Sequence, residues 1–249
     1  MIVIATSTRY NSLADPRFPM AVKFVENAVF ASIPVAIVDD SPDDNVSAYL
    51  KAIGAIVIRA QNPTMGTGRR MAIKKALQLC QGNNIIVWSE PEKYPLIKDI
   101  CKIIEPIIHK KTDIVIPRRK DNLASYPEMQ MHAELYGNRG FQLLTGYAYD
   151  MWFGPRVFDT KTAAYFLSYD GKSSDGTKDY GDRWDSIFIP VLRAIKAGLR
   201  ITEVTIDYQH PQKQTAGEDN YEFYEKRLLQ LNTLLEAIKY EARLLGLPR

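Results

Sequence analysis

The sequence predicts an α/β fold with a mostly parallel sheet flanked by helices on both faces. Short apolar runs rich in β-branched residues recur through the first half of the chain. Such nearly continuous runs are typical of strands that are covered on both faces. Longer segments with apolar residues at helical spacing separate the runs, as crossover helices between parallel strands do. The alternation of the two patterns therefore predicts a βαβ series.

The predicted strands of the first half follow one another at regular intervals. They are "IVIAT" (residues 2–6), "VAIVDD" (35–40), "IVIRA" (56–60), "IIVWSE" (85–90) and "DIVIPRR" (113–119). The predicted helices between them are "PRFPMAVKFVENAVFAS", "DNVSAYLKAIG", "GTGRRMAIKKALQLC" and "PLIKDICKIIEPIIHKK". Ligands of such sheets bind beyond the carboxyl ends of the strands. Binding residues are therefore expected in the polar segments "STRYN", "DDSPDD", "QNPTMGTG" and "EPEK".

The second half of the sequence does not continue this regular alternation of strands and helices. A helical pattern is followed by "WFGPRVF", a polar loop "YDGKSSDGTKDYGD", a helix "WDSIFIPVLRAIKAG" and a strand "RITEVTIDY". Long polar loops in compact domains are usually functional. The chain closes with an amphipathic helix, residues 218–249, which either packs on the body or forms the seam of a homodimer. Its apolar stripe contains Tyr221, Tyr224, Leu228, Leu231, Leu235, Ile238, Ala242 and Leu245.

Composition restricts the kinds of partner. A chain of 249 residues that is 46% hydrophobic and 24% charged can bury a full core. Its net charge of +3, without blocks of like charge, argues against nucleic acid and membrane surfaces and favours a small molecule. Cys80 and Cys101 support neither a disulfide framework nor a zinc site and are expected to be buried free thiols. Without a leader or an apolar run of about 20 residues, no transmembrane segment is expected and the protein is expected in the cytoplasm.

The order of motifs resembles a known enzyme family. The motifs are "VIATSTRYN", "VAIVDDSPDDN", "MGTGRRMAIKKAL", "IIVWSEPEKYP", "DIVIPRRKD", "WFGPRVFDTKTAAYF" and "DRWDSIFIPVLRAIKAGLRITEVTIDY". In this order they resemble family 2-type glycosyltransferases of the GT-A fold, the Rossmann-like fold of nucleotide-diphospho-sugar transferases. The likeness is to the catalytic domain of dolichyl-phosphate mannose synthases and covers about residues 1–210. The membrane tail of some relatives does not occur in this sequence, which argues against a membrane-embedded lipid acceptor.

The resemblance implies an activity and a domain organisation. The expected reaction moves a sugar from a nucleoside diphosphate donor, UDP- or GDP-linked, to an unknown acceptor, with inversion and with Mn²⁺ or Mg²⁺. The GT-A domain would span residues 1–217, with a nucleotide-binding half (1–120) and an acceptor half (121–217). One alternative is a sugar-nucleotide pyrophosphorylase, although "TSTRYNSLAD" lacks the Gly-rich loop of those enzymes. The other is a nucleotide-sugar-binding domain without catalysis.

The metal motif of the family corresponds here to Glu-Pro-Glu. Glu90 and Glu92 stand where the family has Asp-x-Asp, and side chains at i and i+2 leave a strand on the same side. Two such carboxylates suit a hard cation that bridges to a diphosphate, and Glu90 is also a candidate sugar or phosphate contact. The alternative is a solvated acidic turn in which one glutamate pairs with Lys93. By resemblance His210 completes the metal site, against the alternative of a structural histidine.

The nucleotide and sugar contacts are also implied by the resemblance. Thr6 and Tyr10, together with one of the two acids Asp39 and Asp40, would hold the base and ribose. Asp39 is the candidate singled out, although it also suits a plain turn. Arg118 and Arg119 at the end of the fifth strand are predicted to face sugar or phosphate, the alternative being solvated surface side chains.

The segment "MGTGRR" combines glycines with arginines at a helix start. Gly66, Gly68, Arg69 and Arg70 are therefore predicted to contact the ribose or the diphosphate. A Gly-x-Gly alone is a weak signal, so a simple helix-start turn remains the alternative.

A general base is expected for a hydroxyl acceptor. By resemblance Asp182 or Asp185 in "YGDRWDS" would take this role, and the alternative for both is an acid at a helix start. A phosphate acceptor would need no base. The polar loop 209–220 is predicted to be mobile without ligand and to order over a bound nucleotide.

Overall fold

The computed structural model describes the whole chain except residues 81, 83, 121, 122, 213, 215–219 and 249. The strands are β1 (Ile2–Thr8), β2 (Val35–Asp39), β3 (Ile56–Arg59), β4 (Ile85–Trp88), β5 (Ile114–Arg119), β6 (Arg156–Asp159) and β7 (Ile201–Ile206). The α-helices are α1 (Phe18–Phe30), α2 (Asp44–Ala52), α3 (Met65–Leu79), α4 (Ile100–Ile108), α5 (Glu128–Thr145), α6 (Ala163–Leu167), α7 (Ile189–Lys196) and α8 (Tyr221–Leu245). Shorter 3-10 segments occupy Pro91–Asp99, Met151–Phe153 and Trp184–Ile187.

The described strands form one sheet in the order β3-β2-β1-β4-β6-β5-β7. All neighbouring strands run parallel except β6, which is antiparallel to both β4 and β5. Because β6 alone is reversed, the other strands place their carboxyl ends at one edge. The predicted mostly parallel sheet is confirmed, and β6 is an addition that the periodicity did not indicate.

The continuous apolar character of the strands comes from burial on both sides of the sheet. Val3 and Ala5 of β1 belong to a core shared with α3, α5, α7 and α8. Ile4, between them, belongs to the opposite core, shared with α1, α2 and α4. Alternate side chains of a strand point to opposite faces, so a sheet with helices on both faces needs apolar residues at every position.

The C-terminal helix α8 packs against α5 and α7 of the body. Leu231, Ile238 and Ala242 of the predicted stripe are buried, whereas Tyr221 and Leu228 are 73% and 48% exposed. Gly140 of α5 makes the contact possible, because a methyl group there would lie 2.7 Å from the Leu235 side chain. Of the two alternatives, packing on the body is observed. The boundary predicted at residue 217 lies outside the described residues.

The structure also shows the state of the two cysteines and the character of the helices. Cys80 and Cys101 are free, but Cys80 is half-buried and Cys101 is exposed, so the expectation that both thiols are buried was wrong. Within the described part of the chain, every helix is too short or too polar to cross a bilayer.

Candidate functional site

A cavity of about 420 Å³ opens at the carboxyl edge of the sheet. One wall comes from the end of β1 and the start of α3, and the floor comes from the end of β4 and the segment that follows it. The opposite wall is formed by the segments around residues 152–154 and 184–188 and by one side of α8. The cavity therefore lies where ligands of parallel sheets bind.

Glu90 leaves β4 into this cavity and has an unsatisfied acceptor. Its Oε2 atom is buried and accepts no hydrogen bond from any residue that the structure describes. The carboxylate lies against Gly154, where a methyl group would come within 2.6 Å of Oε1. The charges of Arg69, Lys93 and Arg156 interact with it over a longer distance. Since a buried acceptor without a donor costs about 1–3 kcal/mol, this atom is available for a ligand or a cation.

Glu92 lines the same cavity two residues later. Its Oε1 atom lies 3.5 Å from the hydroxyl of Tyr10, a long contact. Burial raises the pKa of Glu92 above its usual value, and the charge of Glu90 adds to this, while Arg17 opposes it. A divalent cation between the two carboxylates would relieve both burial and repulsion.

The donor set suits part of the coordination shell of Mg²⁺ or Mn²⁺. Two carboxylates are hard oxygen ligands, and Mg²⁺ in particular usually keeps waters and takes phosphate oxygens as its other ligands. Among the residues that the structure describes, no group of three or more His, Cys, Asp or Glu side chains could hold a metal. The protein therefore offers two carboxylates to a metal, and a bound diphosphate and water would have to supply the other ligands.

The acid that faces the cavity after β2 is Asp40. Asp39, the predicted contact, is fully buried and accepts hydrogen bonds from the hydroxyl groups of Thr8 (2.7 Å) and Ser41 (2.6 Å). Asp40 lines the cavity and pairs with Arg9. The placement thus favours the turn alternative for Asp39 and makes Asp40 the better placed of the two acids that end β2.

Tyr10 and Thr6 of the first strand and its loop are placed differently. Tyr10 lines the cavity, with its ring edge-on to Phe18 at 5.8 Å and below the guanidinium of Arg17 at 5.2 Å. Thr6 lies inside β1, fully buried and away from the cavity wall. Only Tyr10 is therefore positioned to contact a ligand.

At the start of α3, Gly68 and Arg69 face the cavity. The buried Arg69 guanidinium lies over the Trp88 ring at 5.4 Å and donates to the hydroxyl of Ser186 at 2.8 Å. Its Nε atom is buried without an acceptor. A cation with an unused donor beside a helix N-terminus is typical of an anion site.

Gly66 and Arg70 contact Asp182 instead of facing the cavity. The Gly66 amide donates to the Asp182 carbonyl at 2.8 Å, and a methyl group at residue 66 would lie 1.9 Å from Asp182 Oδ1. Arg70 donates two hydrogen bonds to the Asp182 carboxylate, at 2.6 and 2.8 Å. Although burial opposes it, these bonds hold the pKa of Asp182 below its usual value. The cluster fastens the loop before Trp184 to the start of α3.

The two candidate bases lie outside the cavity wall. The Asp182 carboxylate accepts the two hydrogen bonds from Arg70. The Asp182 backbone is left-handed, with φ +50°. Asp185 is buried, where it accepts hydrogen bonds from the Tyr169 hydroxyl and from the Arg183 amide. Burial raises the pKa of Asp185. The base role stays a prediction that the placement of neither carboxylate supports.

His210 also lies away from the cavity lining. It is buried and stacks on Tyr126 with ring centroids 4.1 Å apart, while its amide donates to Ser125. This placement favours the structural alternative. Ordering of the loop 209–220 is untested, because residues 213 and 215–219 lie outside the described residues.

Arg118 and Arg119 belong to a second, smaller cavity of about 230 Å³. Arg119 is buried and forms ion pairs with Glu134 and Asp150, and Arg118 pairs with Glu203 at 3.1 Å. The structure does not bring either arginine to the larger cavity, so a sugar or phosphate contact gains no support.

Other cavity residues had no clear signal in the sequence. Lys93 entered only as a possible partner of a glutamate, and Glu134 looked like one more acid on an amphipathic helix. Phe223 and Arg227 bring α8 to the cavity, whereas the sequence placed that helix outside the catalytic domain. The polar face of the helix was the available signal, but it identifies no partner.

Similarity to known proteins is found among solved structures. No protein-family model matches the sequence, and no curated protein matches it. Mannosyl-3-phosphoglycerate synthase from Rubrobacter xylanophilus is 12% identical, with a TM-score of 0.67, covering 99% of this chain and 75% of that one. Glucosyl-3-phosphoglycerate synthase from Mycobacterium tuberculosis, in complex with Mn²⁺, UDP and phosphoglyceric acid, is 13% identical, with a TM-score of 0.55 and coverages of 100% and 80%. CMP:2-keto-3-deoxy-manno-octonic acid synthetase in complex with CTP is 13% identical, with a TM-score of 0.53 and coverages of 93% and 98%.

At these identities the likeness shows the fold. The chain has the GT-A fold, the mostly parallel nucleotide-diphospho-sugar transferase sheet that the sequence predicted.

Proposed function

We propose that this protein is a glycosyltransferase that moves a sugar from a nucleoside diphosphate donor to an acceptor, with a divalent metal. The observation that carries the proposal is the pair Glu90 and Glu92 in the large cavity, with a buried carboxylate oxygen that lacks a partner. The solved complex of glucosyl-3-phosphoglycerate synthase with Mn²⁺ and UDP, a protein of the same fold, supports this proposal.

Each wall of the cavity has a proposed task. Glu90 and Glu92 would hold Mn²⁺ or Mg²⁺, which supplies positive charge to the leaving diphosphate when bound. Tyr10 and Asp40 contact the base and ribose. Arg69, beside the N-terminus of α3, binds the diphosphate and keeps it oriented.

The acceptor would enter on the side of α8. Trp152, Trp184 and Phe223 line this part of the cavity, and aromatic faces suit the C–H surface of a sugar or polyol. Closing this side against water would protect the donor from hydrolysis.

A nucleotidyltransferase is the second candidate, because CMP:2-keto-3-deoxy-manno-octonic acid synthetase has the same fold. The two reactions differ in their products. A glycosyltransferase releases a nucleoside diphosphate, whereas a nucleotidyltransferase consumes a nucleoside triphosphate and releases pyrophosphate. A binding domain without catalysis releases neither.

Thermal shifts with UDP-, GDP- and dTDP-sugars, each with and without Mn²⁺, test the proposal. A ligand that binds only the folded state at 100 times its Kd stabilises by about 2.7 kcal/mol. We expect one nucleotide sugar to raise Tm, and to raise it more with Mn²⁺. Absence of any shift across the panel would contradict the proposal, and analysis of released products separates the two reactions.

Gly154 provides a test of the position of Glu90. Its φ of +101° and its contact with the Glu90 carboxylate both oppose a side chain. We expect Gly154→Ala to lower Tm and to weaken donor binding at least about tenfold, because the new methyl group displaces Glu90. Gly198→Ala is the control, since Gly198 has φ +83° but open space around it. It should lower Tm without changing donor affinity, and equal affinities of the two variants would refute the role of Glu90.

A homodimer through α8 and a cytoplasmic location stay predictions from the sequence. Part of the stripe is used within the body, and Tyr221, Leu228 and Leu229 remain exposed on α8. The mass in solution by light scattering tests the dimer.

A further inference from the structure

Lys93 is a largely buried residue whose charged end lines the cavity and has no hydrogen-bond or ion-pair partner among the described residues. Its side chain is only 8% exposed and lines the cavity floor. The ammonium lies 5.1 Å from the ring centroid of Phe153 and 5.7 Å from those of Tyr126 and Tyr208. These rings hold the group in place, but among the described residues its Nζ atom makes no hydrogen bond or ion pair. An ammonium has three donors, so a ligand in this cavity can accept a hydrogen bond from Lys93.

The acceptor Glu90 Oε2 belongs to a residue that lines the same cavity as Lys93. The charge of Glu90 acts on Lys93, yet the two groups are too far apart for an ion pair. Glu90 Oε2 is buried and accepts no hydrogen bond. A donor and an acceptor therefore border the same gap, and each lacks a partner.

The chemistry of this pair selects the group that fits between them. A phosphate would satisfy Lys93 but would bring a negative charge to Glu90 Oε2. A cation would do the reverse. A hydroxyl group satisfies both, because it accepts from the ammonium and donates to the carboxylate.

The ligand of Lys93 does not have to be an anion, because nearby carboxylates already balance the charge of the ammonium. Glu134 also acts on the charge of Lys93. Its own carboxylate is held by Arg119 and by the amide of Gln130, at 2.7 Å. The ammonium is thus already offset electrostatically by fixed carboxylates, and what it lacks is a hydrogen-bond acceptor.

We infer that Lys93 is a specificity-determining residue of the donor site: its ammonium donates to a hydroxyl of the transferred sugar, and that hydroxyl donates to Glu90 Oε2. The inference rests on the proposed function and extends it to the recognition of the sugar. The Glu90 carboxylate would then be shared between the metal and the sugar hydroxyl.

The test compares Lys93→Met with the wild type in calorimetric titrations. Methionine keeps an apolar stem against the three rings and removes the donors. The ligands are the nucleotide sugar that stabilises the wild type and the matching free nucleoside diphosphate, both with Mn²⁺. A lost hydrogen bond to a charged group corresponds to roughly a 10- to 100-fold change in affinity. We expect that loss for the nucleotide sugar and less than about a twofold change for the free diphosphate.

Deoxy donors identify the hydroxyl. One deoxy analogue should bind the wild type as weakly as the full donor binds Lys93→Met, and it should bind the variant with no further loss. Lys98→Met is the matched control, since Lys98 is exposed on the same 3-10 segment, and it should bind like the wild type.

The affinities of wild type and variant distinguish a sugar contact of Lys93 from a phosphate contact and from no contact. Parallel losses for the nucleotide sugar and the free diphosphate would make Lys93 a phosphate contact and overturn the inference, as would unchanged affinities. If Lys93→Met does not fold, Lys93→Leu, which also lacks a donor, is measured by the same criteria. A wild type that binds free nucleoside diphosphate and nucleotide sugar equally also overturns it. A wild type that binds neither overturns the proposed function itself.

Discussion

Glu92→Gln is expected to lower turnover at least about 100-fold while the protein stays folded. The amide has nearly the shape of the carboxylate but lacks its charge, and it is a weak ligand for a hard cation. The metal should bind less tightly, and the leaving diphosphate should lose stabilisation in the transition state. Turnover and Kd for the nucleotide sugar, measured across a Mn²⁺ titration, are the readouts.

The control for this variant is Glu26→Gln on the exposed face of α1. It removes the same charge at a distance from the cavity and should leave turnover and metal dependence unchanged. The Tm of Glu92→Gln should not fall, because burial raises the pKa of Glu92 and thus opposes its charged form. Wild-type turnover with an unchanged Mn²⁺ requirement would exclude Glu92 from the metal site.

Local patterns were sufficient to predict most of the sheet. The strands β1, β2, β4 and β5 are runs of mostly buried apolar residues, so their prediction needed no knowledge of neighbouring strands. The edge strand β3 is only half-buried but has the same β-branched run. β6 (Arg156–Asp159) was missed because only four residues pair with β4, and its short apolar stretch is also compatible with a turn or a helix.

Some residues of the site could likewise be predicted from local sequence, whereas the position of others depends on residues far along the chain. Glu90, Glu92 and Tyr10 follow directly from the ends of strands, and all three line the cavity. Arg70 has the same local signal as Arg69, but its partner Asp182 is 112 residues further along the chain. Which arginine faces the ligand thus depends on a loop whose position cannot be read from the helix start.

The position of Arg119 also depends on residues that are distant in the sequence. Its place at the end of β5 suggested a ligand contact, but Asp150 and Glu134 come from later segments and surround it. The guanidinium donates to Asp150 at 2.8 and 2.6 Å through Nε and one terminal nitrogen. Burial alone would raise the pKa of Asp150, but Arg119 outweighs burial and lowers it.

Arg119→Met should therefore destabilise the fold by about 3–5 kcal/mol, because it leaves two buried carboxylates without their cation. Each kcal/mol corresponds to about 2–4 °C in Tm for a chain of this size. Arg118→Met is the control, since Arg118 is the exposed neighbour in a surface pair with Glu203, and such pairs contribute about 0–1 kcal/mol. Denaturant unfolding of both variants measures the difference.

The pH dependence of the Arg119→Met effect provides the sharper test. In the wild type the folded pKa of Asp150 lies below its unfolded value near 3.9. Asp150 thus contributes stability above about pH 4, and this is lost as the pH falls through the folded pKa. In Arg119→Met, the Asn138 side chain and the amide of residue 119 still donate to Asp150, but the opposing charge is gone. Burial therefore raises the pKa of Asp150 relative to the wild type. The unpaired carboxylate then destabilises the variant at pH 7, and less so as it becomes protonated. The stability gap between wild type and variant should therefore narrow as the pH falls from 7 to about 4. A gap that stays constant over this range would mean that Arg119 stabilises by packing rather than by its charge.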